Sequence, residues 1–106
     1  MTTRLQATVL LAFGLLGSTP AAFAQDVTSA NYQAKCAVCH GADGKGQTPA
    51  GVKLNTPDLH SPAAAKQSNA QWFDITKNGK NKMPGYASKL TDDQIKSLVG
   101  YCRSLR

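Results

Sequence analysis

Two thiols and an imidazole lie within one short stretch of this chain, Cys36-Ala37-Val38-Cys39-His40. Cysteines three positions apart share one face of a helix, so both sulfurs can form thioether bonds with the two vinyl groups of one porphyrin. The imidazole of His40 can then reach the iron at the centre of that porphyrin. This spacing is typical of covalent haem attachment, and it predicts one haem held by Cys36 and Cys39, with His40 as an axial ligand.

Three other uses of the same residues fit less well. A zinc site commonly takes four protein ligands, but the remaining candidates, Cys102 and His60, are isolated from each other in the sequence. A thioredoxin-like dithiol needs strands alternating with helices around it, whereas the flanking sequence is rich in Ala, Lys and Gln. A disulfide between Cys36 and Cys39 would close a very small loop and leave His40 without a role.

Residues 1–24 predict a secretory signal peptide whose removal leaves one domain over residues 25–106. Arg4 precedes an apolar run, and the segment ends in the small-x-small pattern Ala22-Phe23-Ala24, a typical cleavage site. Glycines and a proline interrupt the segment, and its apolar core is shorter than the ~20 residues that span a membrane. Cleavage after Ala24 is therefore favoured over a retained anchor, and the mature protein is expected in a bacterial periplasm.

The mature chain is small and basic. It has 82 residues, one attachment motif and no internal repeat, which predicts a single domain with a single haem. Domains of this size bury only about 60% of the surface of the unfolded chain, so a covalently held macrocycle would supply much of the missing core. Removal of Arg4 lowers the formal net charge from +6 to +5, and two haem propionates would lower it to about +3.

The attachment motif is expected at the end of a helix and before a loop. The pattern from Val27 to Val38 predicts the helix, with Thr28 or Ser29 as its N-cap. Tyr32 lies four residues before the first thiol, so it shares the face of that thiol and is expected to be a packing residue. After the motif, residues 41–46 are dense in turn formers and predict a loop.

The rest of the chain predicts an irregular stretch and two helices. Prolines break any long helix between residues 47 and 64. Residues Asn69–Asn78 can form a short helix that buries Trp72 or its apolar neighbours, and Gly79 is a natural stop for it. Thr91-Asp92-Asp93-Gln94 is a capping box that opens a last helix running to Leu105.

Over nearly its whole mature length, the chain resembles the small class I c-type cytochromes. The resemblance rests on the order and spacing of three motifs: Cys36-x-x-Cys39-His40, Met83-Pro84 and Leu98-Val99-Gly100-Tyr101. It implies an all-α fold in which the N- and C-terminal helices cross near a covalently bound haem c. Tyr32 and Tyr101 would then pack near the crossing, and Gly100 would suit a close approach of the helices.

Two positions depart from the family pattern. Thr28 stands where many members have Gly, eight residues before the first Cys, which would alter the helix crossing unless the register differs. Cys102 stands where an apolar residue is usual, and it is the odd thiol of an exported chain. Its expected role is that of a small buried hydrophobe.

By the same resemblance, the sixth ligand of the iron is a Met in the loop before the last helix, which corresponds to Met83. The residues favour it independently, because Met83 is the single thioether of the chain once the signal peptide is gone. A lone Met usually fills a gap in a core, but Lys82 and the Pro84-Gly85 turn make this loop a poor place for a core side chain. His60 is the rival ligand, and a solvent-facing or core-satisfied histidine is its favoured role.

The resemblance implies further contacts with the haem. The family has a proline after the attachment site whose carbonyl accepts a hydrogen bond from the proximal ring; Pro57 matches it, and such a partner would fix the tautomer of His40. Leu59 then resembles a residue of the haem wall. Trp72 is a candidate donor to a propionate, although burial in its helix would explain it about as well.

Two filled axial positions leave no open site for a substrate, so the sequence predicts an electron carrier and not an enzyme. Its partners would be redox proteins with acidic surfaces that dock near Lys80 and Lys82, and the chain is expected to be a monomer without nucleic-acid partners. The alternative function is a haem enzyme or gas sensor with a labile sixth ligand.

Overall fold

The described residues of the computed structural model are Gly14 and residues 21–105. The predicted signal peptide therefore lies outside the described residues, apart from Gly14 and its last four positions. The helices of the described part are α1 (Ala21–Lys35), α2 (Ala37–His40), α3 (Pro49–Lys53), α4 (Pro62–Lys66), α5 (Asn69–Asn78) and α6 (Asp92–Ser104). Among the described residues, the only β pairing is an isolated bridge between Lys80 and Met83, so the all-α prediction is confirmed. Within residues 21–105, no helix has the length and apolar character needed to cross a membrane.

The first helix differs from its prediction at both ends. It begins at Ala21, so Thr28 and Ser29 lie inside it and the predicted N-cap is wrong. Alanine is the best helix former, and the Ala-rich segment before residue 27 extends the helix. At the other end the helix is interrupted at Cys36, and the short helix α2 carries the rest of the motif.

Helices α1 and α6 pack against each other and form the core. The buried cluster contains Tyr32, Leu90, Ile95 and Leu98. The rings of Tyr32 and Tyr101 have their centroids 5.1 Å apart at an interplanar angle of 49°, within the range of favourable tilted aromatic pairs. The predicted packing of the two tyrosines near the helix crossing is therefore confirmed.

Gly100 does not serve the helix crossing, and that expectation is wrong. A Cβ atom added at this residue would meet no atom within 4 Å, and the residue is exposed. The inward face of α6 carries Ile95, Leu98 and Val99, and the helical period turns Gly100 to the outside. Thr28 of α1, by contrast, is buried.

No long helix forms between residues 47 and 64, as predicted, but two of the three prolines there start short helices. Pro49 and Pro62 each occupy the beginning of a one-turn helix, α3 and α4. A proline at the first helical position loses nothing, because its missing N–H would have no partner inside the helix. Thr48 and Ser61 cap these helices by accepting hydrogen bonds from backbone amides three residues later.

Helices α5 and α6 have the predicted bounds within one residue. Both begin with a complete capping box, Ser68 with Gln71 and Thr91 with Gln94, and Gly79 ends α5 with a φ of 83°. The two helices pack together. Arg103 of α6 reaches across the contact and lies 3.8 Å from the ring centroid of Trp72 in α5.

Candidate functional site

The predicted attachment motif occupies one tight turn. Cys36 lies between α1 and α2, and its carbonyl accepts hydrogen bonds from the amides of Cys39 at 3.2 Å and His40 at 2.9 Å. All three cysteines of the chain carry free thiols, so Cys36 and Cys39 are not joined by a disulfide. Burial raises the pKa of the Cys36 thiol to about 11. The two sulfurs needed for thioether bonds are thus present as thiols on one turn of backbone.

His40 presents a neutral imidazole with an unused nitrogen. Its Nδ1 atom is buried and has no hydrogen-bond partner among the described residues. Burial lowers the pKa of the ring, so the imidazole is uncharged at neutral pH. A buried polar atom without a partner costs about 1–3 kcal/mol, and such atoms call for an explanation. Neutral imidazole is also the form that binds metals, so the donor set of the turn fits a haem.

Pro57 does not make the predicted hydrogen bond to the proximal ring. Within residues 21–105 the Nδ1 atom of His40 has no hydrogen-bond partner, so the expected bond to the Pro57 carbonyl is not formed. The carbonyls of Thr56 and Pro57 instead lie against the turn at Gly46, where an added Cβ atom would be 2.5 Å from the first oxygen and 3.4 Å from the second. The positive φ of 71° at Gly46 also favours glycine there.

Leu59 and His60 lie against the loop that follows the motif. The amide of Leu59 donates to the carbonyl of Gly44 at 2.9 Å. The Nε2 atom of His60 is 2.9 Å from the carbonyl oxygen of Asp43, and its backbone amide donates to the carboxylate of Asp58 at 2.7 Å. His60 therefore has the locally satisfied role that was favoured over iron ligation, while the place of Leu59 in a haem wall stays a prediction.

Trp72 is buried, and its indole N–H is already used. The Nε1 atom donates to the carbonyl of Ala64 at 3.2 Å, so the suggested bond to a propionate is not supported. The Arg103 guanidinium covers the ring and bonds to Asn69 and to the carbonyls of Ala65 and Gln67. Burial between α4, α5 and α6 therefore accounts for the tryptophan.

Met83 lies in a loop whose backbone is tightly held. A reverse turn joins the backbones of Lys80 and Met83 through two hydrogen bonds of 3.0 and 3.1 Å, and Asn81 in this turn has a φ of 53°. At the neck of the loop, a Cβ atom on Gly79 would lie 2.7 Å from the Met83 carbonyl, and one on Gly85 would lie 2.7 Å from the Lys77 carbonyl. The loop that carries the thioether is therefore fixed to the end of α5.

Sequence reasoning missed Tyr86, which joins this loop to the attachment turn. Its hydroxyl donates to the carbonyl of Lys35 at 3.0 Å, and its backbone amide donates to Thr76 at 3.0 Å. The only signal in the sequence is an aromatic residue directly after the Pro84-Gly85 turn, which does not reveal a partner 51 positions away.

Two exposed valines lie on the attachment turn and on the helix packed against it. Val38 lies within the motif and is 63% exposed, and Val52 of α3 is 67% exposed. Helices α2 and α3 pack together through Gly51, where an added Cβ atom would clash with the Cys39 carbonyl oxygen. Apolar side chains in this position suit the hydrophobic faces of a porphyrin.

Cys102 has the predicted character of a small hydrophobe at the edge of the core. The residue is partly buried, packs against the buried cluster and carries a free thiol. Burial, with a contribution from the neighbouring Cys36, raises the pKa of this thiol to about 12. The thiol is therefore protonated and unreactive at neutral pH, because the thiolate is the nucleophile.

Three comparisons relate the chain to known proteins. The model of the family described as cytochrome C oxidase, cbb3-type, subunit III, matches residues 24–101. Cytochrome c6 of Porphyra purpurea is 30% identical over 94 residues, which are 87% of this chain and 83% of that protein. Cytochrome c6 of Gloeothece citriformis is 35% identical over 94 residues, or 87% and 82% of the two chains. The solved structure of the KustC0563 c-type cytochrome has a TM-score of 0.66 and 28% identity, covering 72% of this chain and 93% of that one.

Proposed function

Because the chain belongs to the family of monohaem class I c-type cytochromes, we propose that it is an exported electron carrier that receives one electron from a donor protein and passes it to an acceptor. When bound, the haem c of this family supplies an iron that changes between its ferric and ferrous states. The observation that carries the proposal is the turn Cys36–His40. It has two free thiols and a neutral imidazole whose buried Nδ1 has no partner in the part of the chain that the structure describes.

Four residues hold the cofactor in this proposal. Cys36 and Cys39 form the two thioether bonds, His40 supplies one axial ligand, and Met83 supplies the other. Axial His and Met ligands raise the potential of a haem relative to stronger donors, which suits a carrier between two proteins. Leu59 contributes to the wall of the site, whereas Pro57 and Trp72 have no proposed hydrogen bond to it.

Carbon monoxide tests this function against the alternative of a haem enzyme or gas sensor. The reduced wild-type protein is expected to show a low-spin visible spectrum that carbon monoxide leaves unchanged at neutral pH, because His40 and Met83 fill both axial positions. The measurement is the Soret band before and after the gas is added. Rapid and complete formation of a carbon monoxide adduct would favour a labile sixth ligand and count against the carrier.

Export is part of the proposal and is supported by the sequence pattern of residues 1–24. The cation, the apolar run and the small residues up to Ala24 match a signal peptide. We propose that cleavage after Ala24 releases residues 25–106 into a bacterial periplasm as a monomer.

The proposed docking surface for acidic redox partners is the loop around Met83. Lys80 and Lys82 are both exposed, and the turn that joins Lys80 to Met83 keeps these cations next to the proposed ligand. Lys77, the lysine of α5, forms an ion pair of 3.1 Å with Asp92 and so contributes less free positive charge. Opposite charges on two partners mainly raise the association rate.

Reversal of both exposed charges, Lys80→Glu with Lys82→Glu, is expected to slow electron transfer to an acidic partner by about tenfold or more at low salt. The reduction potential should hardly move, since neither side chain touches the core. Salt should slow the wild-type reaction steeply, because the Debye length is only about 8 Å at physiological ionic strength. Stopped-flow kinetics at several salt concentrations measure both effects.

The matched control is Lys66→Glu with Lys96→Glu, which makes the same change of charge at exposed positions of α4 and α6. It should slow the reaction much less. Equal slowing by the two double variants would show that net charge matters and not this surface. Transfer that is independent of salt and of both variants would rule out electrostatic docking on this loop.

A further inference from the structure

The break between α1 and α2 leaves the carbonyl of Lys35, the residue before the attachment motif, without the hydrogen bond that a continuous helix would give it. In a continuous helix, the amide of Cys39 would bond to the carbonyl of Lys35. Here the Cys39 amide donates to the carbonyl of Cys36 at 3.2 Å. The hydroxyl of Tyr86 donates to the Lys35 carbonyl at 3.0 Å. The last carbonyls of a helix have no partner within the helix. At the end of α1, the phenol of Tyr86, from a distant loop, donates to one of them.

The carbonyl after the motif is held in the same way. Gly41 directly follows His40, and its carbonyl accepts a hydrogen bond of 2.5 Å from the hydroxyl of Tyr32. The amide of Gly44 bonds to the same oxygen at 3.2 Å. Tyr32 itself is 1% exposed, and its ring packs on Tyr101. A rigid, buried side chain thus holds the residue next to the proposed axial ligand.

Both phenols are lasting donors at neutral pH. Burial is the main cause that raises the pKa of Tyr32 above its ordinary value of 10, and burial raises the pKa of Tyr86 as well. The ring of Tyr86 packs against the core cluster. The backbone amide of Tyr86 donates to the carbonyl of Thr76 at 3.0 Å, and the amide of Ala87 donates to the carbonyl of Lys77 at 3.1 Å. Neither hydroxyl can therefore leave its carbonyl without moving a packed ring.

We propose that Tyr32 and Tyr86 are positioning residues that hold the turn Cys36–His40 between two phenol hydrogen bonds. Tyr32 restrains the His40 end of the turn, whereas Tyr86 connects the Cys36 end to the loop of Met83, three residues earlier in the chain. The two proposed axial ligands are then tied to one short piece of backbone. This inference rests on the proposed attachment of haem to that turn.

Single Tyr→Phe changes test the inference, because they remove one hydroxyl and keep the ring. Tyr86→Phe should speed cyanide binding to the oxidised, haem-loaded protein about fivefold, the effect expected when one hydrogen bond no longer restrains an opening step. Tyr32→Phe should shift the pattern of paramagnetically displaced haem methyl signals in the proton NMR spectrum, because the orientation of the proximal ring sets that pattern. Tyr101→Phe is the matched control, since its hydroxyl pairs with the side chain of Ser29, at 3.4 Å, and not with a carbonyl of the turn; it should change neither measurement.

Carbonyl ¹³C shifts of the holoprotein provide a second measurement that does not depend on the iron ligands. The Lys35 signal should move in Tyr86→Phe and the Gly41 signal in Tyr32→Phe, each without the other. If a variant does not fold, slowly exchanging hydroxyl protons of the two tyrosines in the wild-type NMR spectrum supply the evidence, and their absence would overturn the inference. The inference would also be overturned if both Tyr→Phe variants had the same cyanide-binding rates, haem methyl patterns and carbonyl shifts as the wild-type protein.

Failure of the proposed function would look different from failure of this inference. It would appear in the wild-type protein, as haem that acid-organic extraction removes, before any tyrosine is changed. A wild type with covalent haem and tyrosine variants identical to it would refute only the positioning role.

Discussion

Replacement of both Cys36 and Cys39 by alanine is expected to abolish covalent haem and to prevent the exported chain from folding. Without thiols, no thioether bond can form, and axial bonds alone do not keep the porphyrin through acid-organic extraction. The buried cluster of Tyr32, Leu90, Ile95 and Leu98 is small, and a domain of about 80 residues has little stability to spare without an added core. The measurements are haem in the protein fraction after extraction and helical circular dichroism.

Cys102→Ala is the control for this pair. It removes a thiol that packs against the same cluster but lies outside the motif, so the protein should keep its covalent haem and its helices. Complete extraction of haem from the wild-type protein would contradict the proposed attachment. Loss of covalent haem from Cys102→Ala would instead show that attachment depends on Cys102.

Met83→Ala is expected to open the iron to carbon monoxide and cyanide. The change should also lower the reduction potential by on the order of 0.1 V, within the roughly 0.8 V range that axial ligands span in haem proteins. The weak long-wavelength band that arises from sulfur bound to ferric iron should disappear. Visible spectroscopy and a redox titration measure all three effects in one preparation.

His60→Ala is the matched control because it removes the only other candidate ligand. The Nε2 atom of His60 is engaged with the carbonyl of Asp43, so its loss should affect the loop after the motif and leave the iron spectrum unchanged. If His60→Ala changes the spectrum and the potential while Met83→Ala changes neither, the assignment of the sixth ligand is wrong.

The sequence alone predicted features that act over four residues or fewer. The capping box of Thr91 and Gln94 spans three positions, and both of its hydrogen bonds are present. Gly79 ended α5 where a glycine stop was expected. The attachment motif is another local feature. The relative placement of side chains at positions i, i+3 and i+4, here Cys36, Cys39 and His40, depends on local backbone geometry.

Local rules left the details of two segments open, because two rules competed in each. Proline breaks a helix in its interior but is tolerated at its first position. The prolines between residues 47 and 64 prevent a long helix, as predicted, while Pro49 and Pro62 start one-turn helices capped by Thr48 and Ser61. The start of α1 moved upstream of Thr28 for a similar reason, since a good cap residue still yields to a strong helix former before it.

What the tertiary structure alone decided are partnerships between residues far apart in the chain. The hydroxyl of Tyr86 bonds to Lys35, and the indole of Trp72 bonds to Ala64 and is covered by Arg103. Gly100 faces outward because the register of α6 on α1 is set by which side chains fill the core. Such contacts depend on how helices pack against each other and on the carbonyls that helix ends leave without partners. Neither the packing nor the partner of such a carbonyl can be predicted from the neighbouring residues in the sequence.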